Sequence, residues 1–125
     1  MDTRIKILDE KQALEVAERE PVSVVTGWFD PLLAAHAERL AGIRAGSEGR
    51  LMAVVTEPVR PVLAARARAE LVAGLRMVDY VVVPEGGNPE PFLACVRARA
   101  VFREEEGDAR RQQELIQHVQ RRNAG

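Results

Sequence analysis

The sequence predicts a parallel α/β domain, a sheet of about four strands with helices on both faces in three layers. Three observations carry this. Short β-branched runs bounded by turn residues alternate with longer stretches in which Ala, Leu and Arg recur at helical spacing. The runs are apolar at nearly every position, as strands covered on both faces are. With 125 residues, 46% of them hydrophobic, the chain has the material for one core and reads as a single domain over 1–125. It shows no internal repeat, low-complexity tract or dividing linker.

The first strand is expected at Val22-Ser23-Val24-Val25-Thr26 after Pro21, the second at Leu51-Met52-Ala53-Val54-Val55 after Arg50, and the third at Tyr80-Val81-Val82-Val83. Ala100-Val101-Phe102 is a short fourth candidate, following a helix expected from about Pro91 to Arg99. A leading helix is signalled by Asp9 with Gln12 three residues on, a capping-box spacing, and by Ala13, Val16 and Ala17 on one side. Between the first two strands, Leu33, Ala37, Leu40 and Ala41 share a helical face, and Gly46 is expected as a left-handed stop. Pro61 can open the next helix, with Leu63, Ala67, Leu71, Leu75 and Val78 as its buried stripe. The last segment, Gly107 to Arg122, reads as a thinly anchored helix whose apolar positions are Leu115, Ile116 and Val119. Right-handed crossovers would stack the strands into a parallel sheet, and ligands of such sheets bind beyond the strand C-termini.

Charge excludes more than it identifies. The 18 basic and 19 acidic side chains nearly cancel, so no bulk attraction to nucleic acid or to an anionic membrane is expected. No apolar run approaches the roughly 18 residues of a membrane span, the N-terminal residues form no signal-peptide core, and the single Cys95 can make no internal disulfide. The expectation is a cytoplasmic protein. Cys95, among Phe92, Leu93 and Val96, reads as a small buried hydrophobe, and His118 stands too far along the chain to suggest a dyad with it.

The stretch Thr26 to His36 joins a buried strand to a helix at the place where these sheets take ligands. Gly27 would let backbone come close to a ligand, and His36 stands in the first turns of a helix, where anions are favoured. Its residues, Thr26-Gly27-Trp28-Phe29-Asp30-Pro31-Leu32-Leu33-Ala34-Ala35-His36, resemble the N-G-x-F-D-x-x-H-x-G-H motif of the cytidylyltransferase-like nucleotidyltransferases. The likeness continues through Arg60-Pro61, Arg68-Ala69-Glu70 and Val78-Asp79-Tyr80-Val81-Val82, and covers roughly residues 4 to 85. It implies a Rossmann-like, nucleotidyltransferase/HUP-like fold. It also implies His36 as the catalytic imidazole, Gly27, Trp28, Phe29, Asp30, Arg68 and Arg103 as nucleotide-binding positions, and pairing into a homodimer. The activity implied is transfer of a nucleoside monophosphate from CTP or ATP, with magnesium, to a small sugar-phosphate or polyol-phosphate acceptor.

Departures from that pattern point to impaired catalysis. The first motif His is Leu33, which can neither donate nor carry charge, and losing one such donor typically lowers a rate about a hundred- to a thousand-fold. Ala35 replaces a Gly that lets backbone approach the phosphates. Thr56-Glu57-Pro58-Val59 stands where the family has a longer Lys-Gly loop, turning the local charge toward repulsion of phosphate. Arg103-Glu104-Glu105-Glu106 aligns with a Lys-Gly-x-Asp segment, Arg103 keeping the charge and glutamates replacing glycine. Other roles compete for the same residues. His36 can be a structural hydrogen-bonding residue, and Asp30 reads first as the cap of the helix that Pro31 begins. Arg68 reads first as part of a solvated face with Arg66 and Arg76. Trp28 either stacks on a base or fills space left by a missing ligand. The residues themselves demand no cofactor.

Overall fold

The structure, a computed structural model, describes residues 2–110 together with Gln113, Ile116 and Gln117. Nine regular elements follow in order: β1 (Ile7–Leu8), α1 (Glu10–Arg19), β2 (Val22–Gly27), α2 (Ala34–Ala45), β3 (Arg50–Val55), α3 (Ala65–Ala73), β4 (Tyr80–Val82), α4 (Glu90–Cys95) and β5 (Ala100–Arg103). Helical residues resume at 105. The sheet is wholly parallel with strand order β1-β4-β3-β2-β5, the Rossmann-like architecture expected with one strand more. From β2 the chain steps outward through β3 to β4, then returns to place β5 on the other side of β2. The crevice beyond the C-terminal end of β2 is therefore the switch point at which such sheets bind ligands.

Strand pleating divides the core in two. Val25 of β2 and Leu51, Ala53 and Val55 of β3 point to one face, against Leu40 and Ile43 of α2 and Ala69, Val72 and Ala73 of α3. Val24, Met52, Val54 and Val82 point to the other, against Ala13 of α1 and Phe92 of α4. The capping box forms as the sequence predicts: the Asp9 carboxylate accepts from Gln12 N at 2.7 Å, and Gln12 Oε1 accepts from Asp9 N at 3.0 Å.

Several expectations are corrected. β1 has two residues, too short for a pattern, and follows a 3-10 turn over Thr3–Lys6 whose Lys6 Nζ donates to Leu75 O and Val78 O at 3.1 and 2.8 Å. α3 starts at Ala65 rather than Pro61, and its buried side chains are Arg68, Ala69, Val72 and Ala73, whereas Leu71 is 49% exposed. Upstream of the helix, the N–H groups of Val62 and Leu63 are given to the Asp30 side chain. On α2, His36, Leu40 and Ile43 are buried and Ala41 is exposed. Gly46 has φ −88 and makes no left-handed stop. The left-handed residue of that turn is Gly49, at φ 80, where a Cβ would stand 2.1 Å from Pro21 O. α4 ends at Cys95, which is exposed; Phe92 fills the core beside it. The C-terminal helical residues begin at 105, ahead of the expected 107, and Ile116 is 46% exposed, while Leu115 and Val119 lie outside the described residues.

Tyr80, the chain's single tyrosine, gives its hydroxyl to Glu20 at the end of α1. Burial, then the hydrogen bond to Glu20, pushes the phenol above its ordinary value. A raised acid pKa means that the folded state holds the proton more tightly, so the stabilisation is complete below the unfolded value near pH 10 and fades as pH rises beyond it. Ultraviolet titration of native protein should show Tyr80 ionising above a free tyrosine, and Glu20→Gln should move it back toward the ordinary value.

Candidate functional site

The loop after β2 is held by side chains that look like ligand contacts in the sequence. Asp30 accepts from Val62 N at 2.6 Å and Leu63 N at 2.8 Å, tying this loop to the segment before α3. It does not cap α2. That helix has Leu33 at its N-cap, and the donor exposed there, Leu33 N–H, is taken by Nδ1 of His36 at 2.8 Å. Phe29, buried at φ 48, turns its ring edge-on to the His36 imidazole with centroids 5.7 Å apart.

Arg68 is fully buried, against the reading of a solvated face. Its guanidinium donates to Trp28 O at 3.0 Å, Thr56 O at 2.7 Å, Leu63 O at 3.0 Å and Glu57 Oε2 at 2.8 Å. It is a clamp joining the loops after β2 and β3 to the approach of α3. The same contacts give Glu57 a cation, so the repulsion expected from that carboxylate is offset by its pair with Arg68.

His36 is 4% exposed. With Nδ1 accepting from Leu33, the ring proton of the neutral imidazole sits on Nε2. Nε2 stands 2.6 Å from Oδ1 of Asp108, off the line of a well-formed hydrogen bond. The other oxygen of Asp108 accepts from Trp28 N–H at 2.7 Å. Gly27 permits this approach: a Cβ there would lie 2.8 Å from Asp108 Oδ2 and 2.8 Å from the Phe29 ring. The close approach that Gly27 allows thus goes to the chain's own carboxylate. Between Trp28, Asp30, Pro31, Leu33, His36 and Asp108 there remains a cavity of about 10 Å³, the size of one water.

Asp108 belongs to an acidic run that docks onto the crevice directly after β5. Glu104 N–H bonds to Thr26 O at 2.8 Å, extending the ladder past the strand, and the Glu104 carboxylate meets Arg39 of α2 at 2.6 Å. Glu105 accepts from the Thr26 hydroxyl at 2.5 and 2.7 Å and from the Thr56 hydroxyl at 3.5 Å. Sequence reasoning missed Thr26, Thr56, Glu105 and Asp108 as site residues. Their place follows from the strand order: β5 pairs in parallel with β2, so residues just past β5 emerge beside those just past β2.

The structure brings together Gly27, Trp28, Phe29, Asp30 and His36 in one loop-to-helix turn, and Arg68 reaches that turn from behind through the Trp28 carbonyl. Arg103 goes elsewhere. Its guanidinium pairs with Glu90 of α4 at 2.6 and 3.2 Å, and that hydrogen bond holds the Glu90 carboxyl below its ordinary range. α4 packs on the face of the sheet opposite α2. No group of three His, Cys, Asp or Glu side chains among the described residues is arranged to hold a metal ion.

Arg68→Met should lower the free energy of unfolding by about 3 kcal/mol, because a stem of similar length leaves buried carbonyls and Glu57 unpaired. Arg68→Lys should recover only part of the loss, since an ammonium cannot span four acceptors in a planar fork. Urea unfolding of the three proteins checks both.

No family model matches the chain. It is similar to the bifunctional protein HldE of Helicobacter pylori, with 30% identity over 103 residues covering 76% of this chain. The chain spans 22% of that protein's length. The similarity supports the cytidylyltransferase-like family indicated by the loop motif.

Proposed function

We propose that this chain is a cytidylyltransferase-like domain without transferase activity, its phosphate-facing loop turned to internal use. One observation carries the reading. The imidazole Nε2 of His36 and the N–H of Trp28, the donors that converge where a phosphate would sit, both face the carboxylate of Asp108. The cavity left among them, about 10 Å³, holds one water and no phosphoryl group.

Charge works in the same direction. A phosphate oxygen brought to about 4 Å from a carboxylate meets a repulsion on the order of 4 kcal/mol at an effective dielectric constant of about 20. Here both Glu105 and Asp108 line the approach. Nearby cations are engaged with other partners, Arg68 with carbonyls and Glu57, Arg103 with Glu90, and Arg39 with Glu104. Leu33, half-buried on the cavity wall, supplies no donor. The residues present do not fit a magnesium–nucleoside triphosphate.

The alternative reading, an active enzyme moving a nucleoside monophosphate from CTP or ATP to a phosphorylated acceptor, needs the acidic segment to leave the crevice first. Thermal denaturation with millimolar CTP or ATP and magnesium separates the two. A ligand confined to the folded state raises the melting temperature by mass action. We expect no rise and no pyrophosphate release; a rise would show that the crevice admits the nucleotide, and pyrophosphate release would restore the enzymatic reading. Restoring the motif with Leu33→His and Ala35→Gly should create no nucleotide affinity while Asp108 keeps its place.

A further inference from the structure

We infer that the segment carrying Glu104, Glu105 and Asp108 is an internal competitor for small oxyanions, a carboxylate latch over a loop that can still bind them. This rests on the reading above, that the loop is phosphate-handling in origin and closed in the native chain.

The geometry of the donors is that of an anion cradle. A backbone N–H from Trp28 and an imidazole Nε2 from His36 converge on the two oxygens of one carboxylate at 2.7 and 2.6 Å. Beside them the hydroxyl of Thr26 gives its hydrogen to Glu105, and Gly27 keeps the floor free of a Cβ. A tetrahedral oxyanion presents the same pair of acceptors at the same spacing. The imidazole is nine-tenths buried and aimed at this point, and it makes no well-aligned hydrogen bond through Nε2, so the carboxylate fits the cradle imperfectly.

The hold on the latch is chiefly polar. Among residues 105–110 Asp108 alone is buried, so the segment contributes no large apolar side chain to the core over that stretch. Among the described residues its attachments include the Glu104 N–H bond to Thr26 O, the Glu104 pair with the half-exposed Arg39, the Glu105 contacts with two hydroxyls, and Asp108. A segment fastened by carboxylates to hydrogen-bond donors is the kind that an added anion displaces by taking the same donors. The ligand class is therefore a small phosphate-type oxyanion, either free or as the phosphate end of a nucleotide.

The test uses the full chain and isothermal titration with inorganic phosphate, pyrophosphate and CTP. Asp108→Ser vacates the cradle, and Asp108→Asn keeps the shape without the charge. Folded Asp108→Ser should bind pyrophosphate at least about tenfold more tightly than the native chain, with Asp108→Asn between them. CTP binding in Asp108→Ser no tighter than pyrophosphate assigns the affinity to the phosphates alone; tighter binding adds a nucleoside contact. Either result upholds the latch. Equal affinity in native and variant chains overturns it. Failure of the functional reading looks different, because there the native chain itself binds CTP. Should neither variant fold, hydrogen exchange on the native chain decides. Tens of millimolar pyrophosphate should speed exchange over 104–110 relative to sodium chloride of equal ionic strength, and no difference between the two salts overturns the inference.

Discussion

The contact on which the rest of this site depends is one carboxylate, Asp108, set between the His36 imidazole and the Trp28 backbone N–H. It satisfies the part-buried Trp28 N–H and, itself 3% exposed, brings an acceptor to the buried imidazole; a buried donor left without a partner costs about 1–3 kcal/mol. It also sets the charge of the crevice. A loop built to gather negative charge from a ligand gathers it from its own chain, and the strand order makes this possible by bringing the end of β5 beside the end of β2.

Around that contact the loops are made rigid from below. Arg68 and Asp30 work as a complementary pair of ties, one a buried cation receiving carbonyls, the other a carboxylate receiving N–H groups. The family resemblance assigns both to a ligand, although by local pattern Asp30 reads first as a helix cap and Arg68 as part of a solvated face. Here they satisfy backbone groups that the irregular loops after β2 and β3 leave without partners. The cradle is therefore well ordered whether or not anything binds in it, and an altered phosphate loop can persist as structure.

The parallel fold was legible because β2, β3 and β4 are covered on both faces and so read as uninterrupted apolar runs. β1 was not, since two residues of Ile and Leu carry no periodicity and are fixed by pairing with β4. The stripe of α3 was misread because the pattern of Leu63, Leu71 and Leu75 assumes that the helix begins at Pro61, whereas it begins at Ala65 with Arg68 facing inward. Cys95 was expected inside on its neighbours' hydrophobicity, yet in α4 it is Phe92, with Leu93 partly buried beside it, that packs on the core, and Cys95 is exposed. Within the site, Gly27, Phe29, Asp30 and His36 stood out by motif. Asp108 did not, because its role follows from a contact 72 residues away along the chain from His36, and local spacing carries no trace of it.

The central claim is that the His36 imidazole already has its anion. Nitrogen-15 NMR of the ring addresses this directly, and with only two histidines in the chain a His118→Gln variant assigns the signals. The account predicts a single neutral tautomer with its proton on Nε2, held there by the Leu33 N–H at Nδ1 and unmoved when CTP and magnesium are added. Averaged tautomers, or an Nε2 resonance that shifts with CTP, would show an imidazole open to a ligand and contradict it.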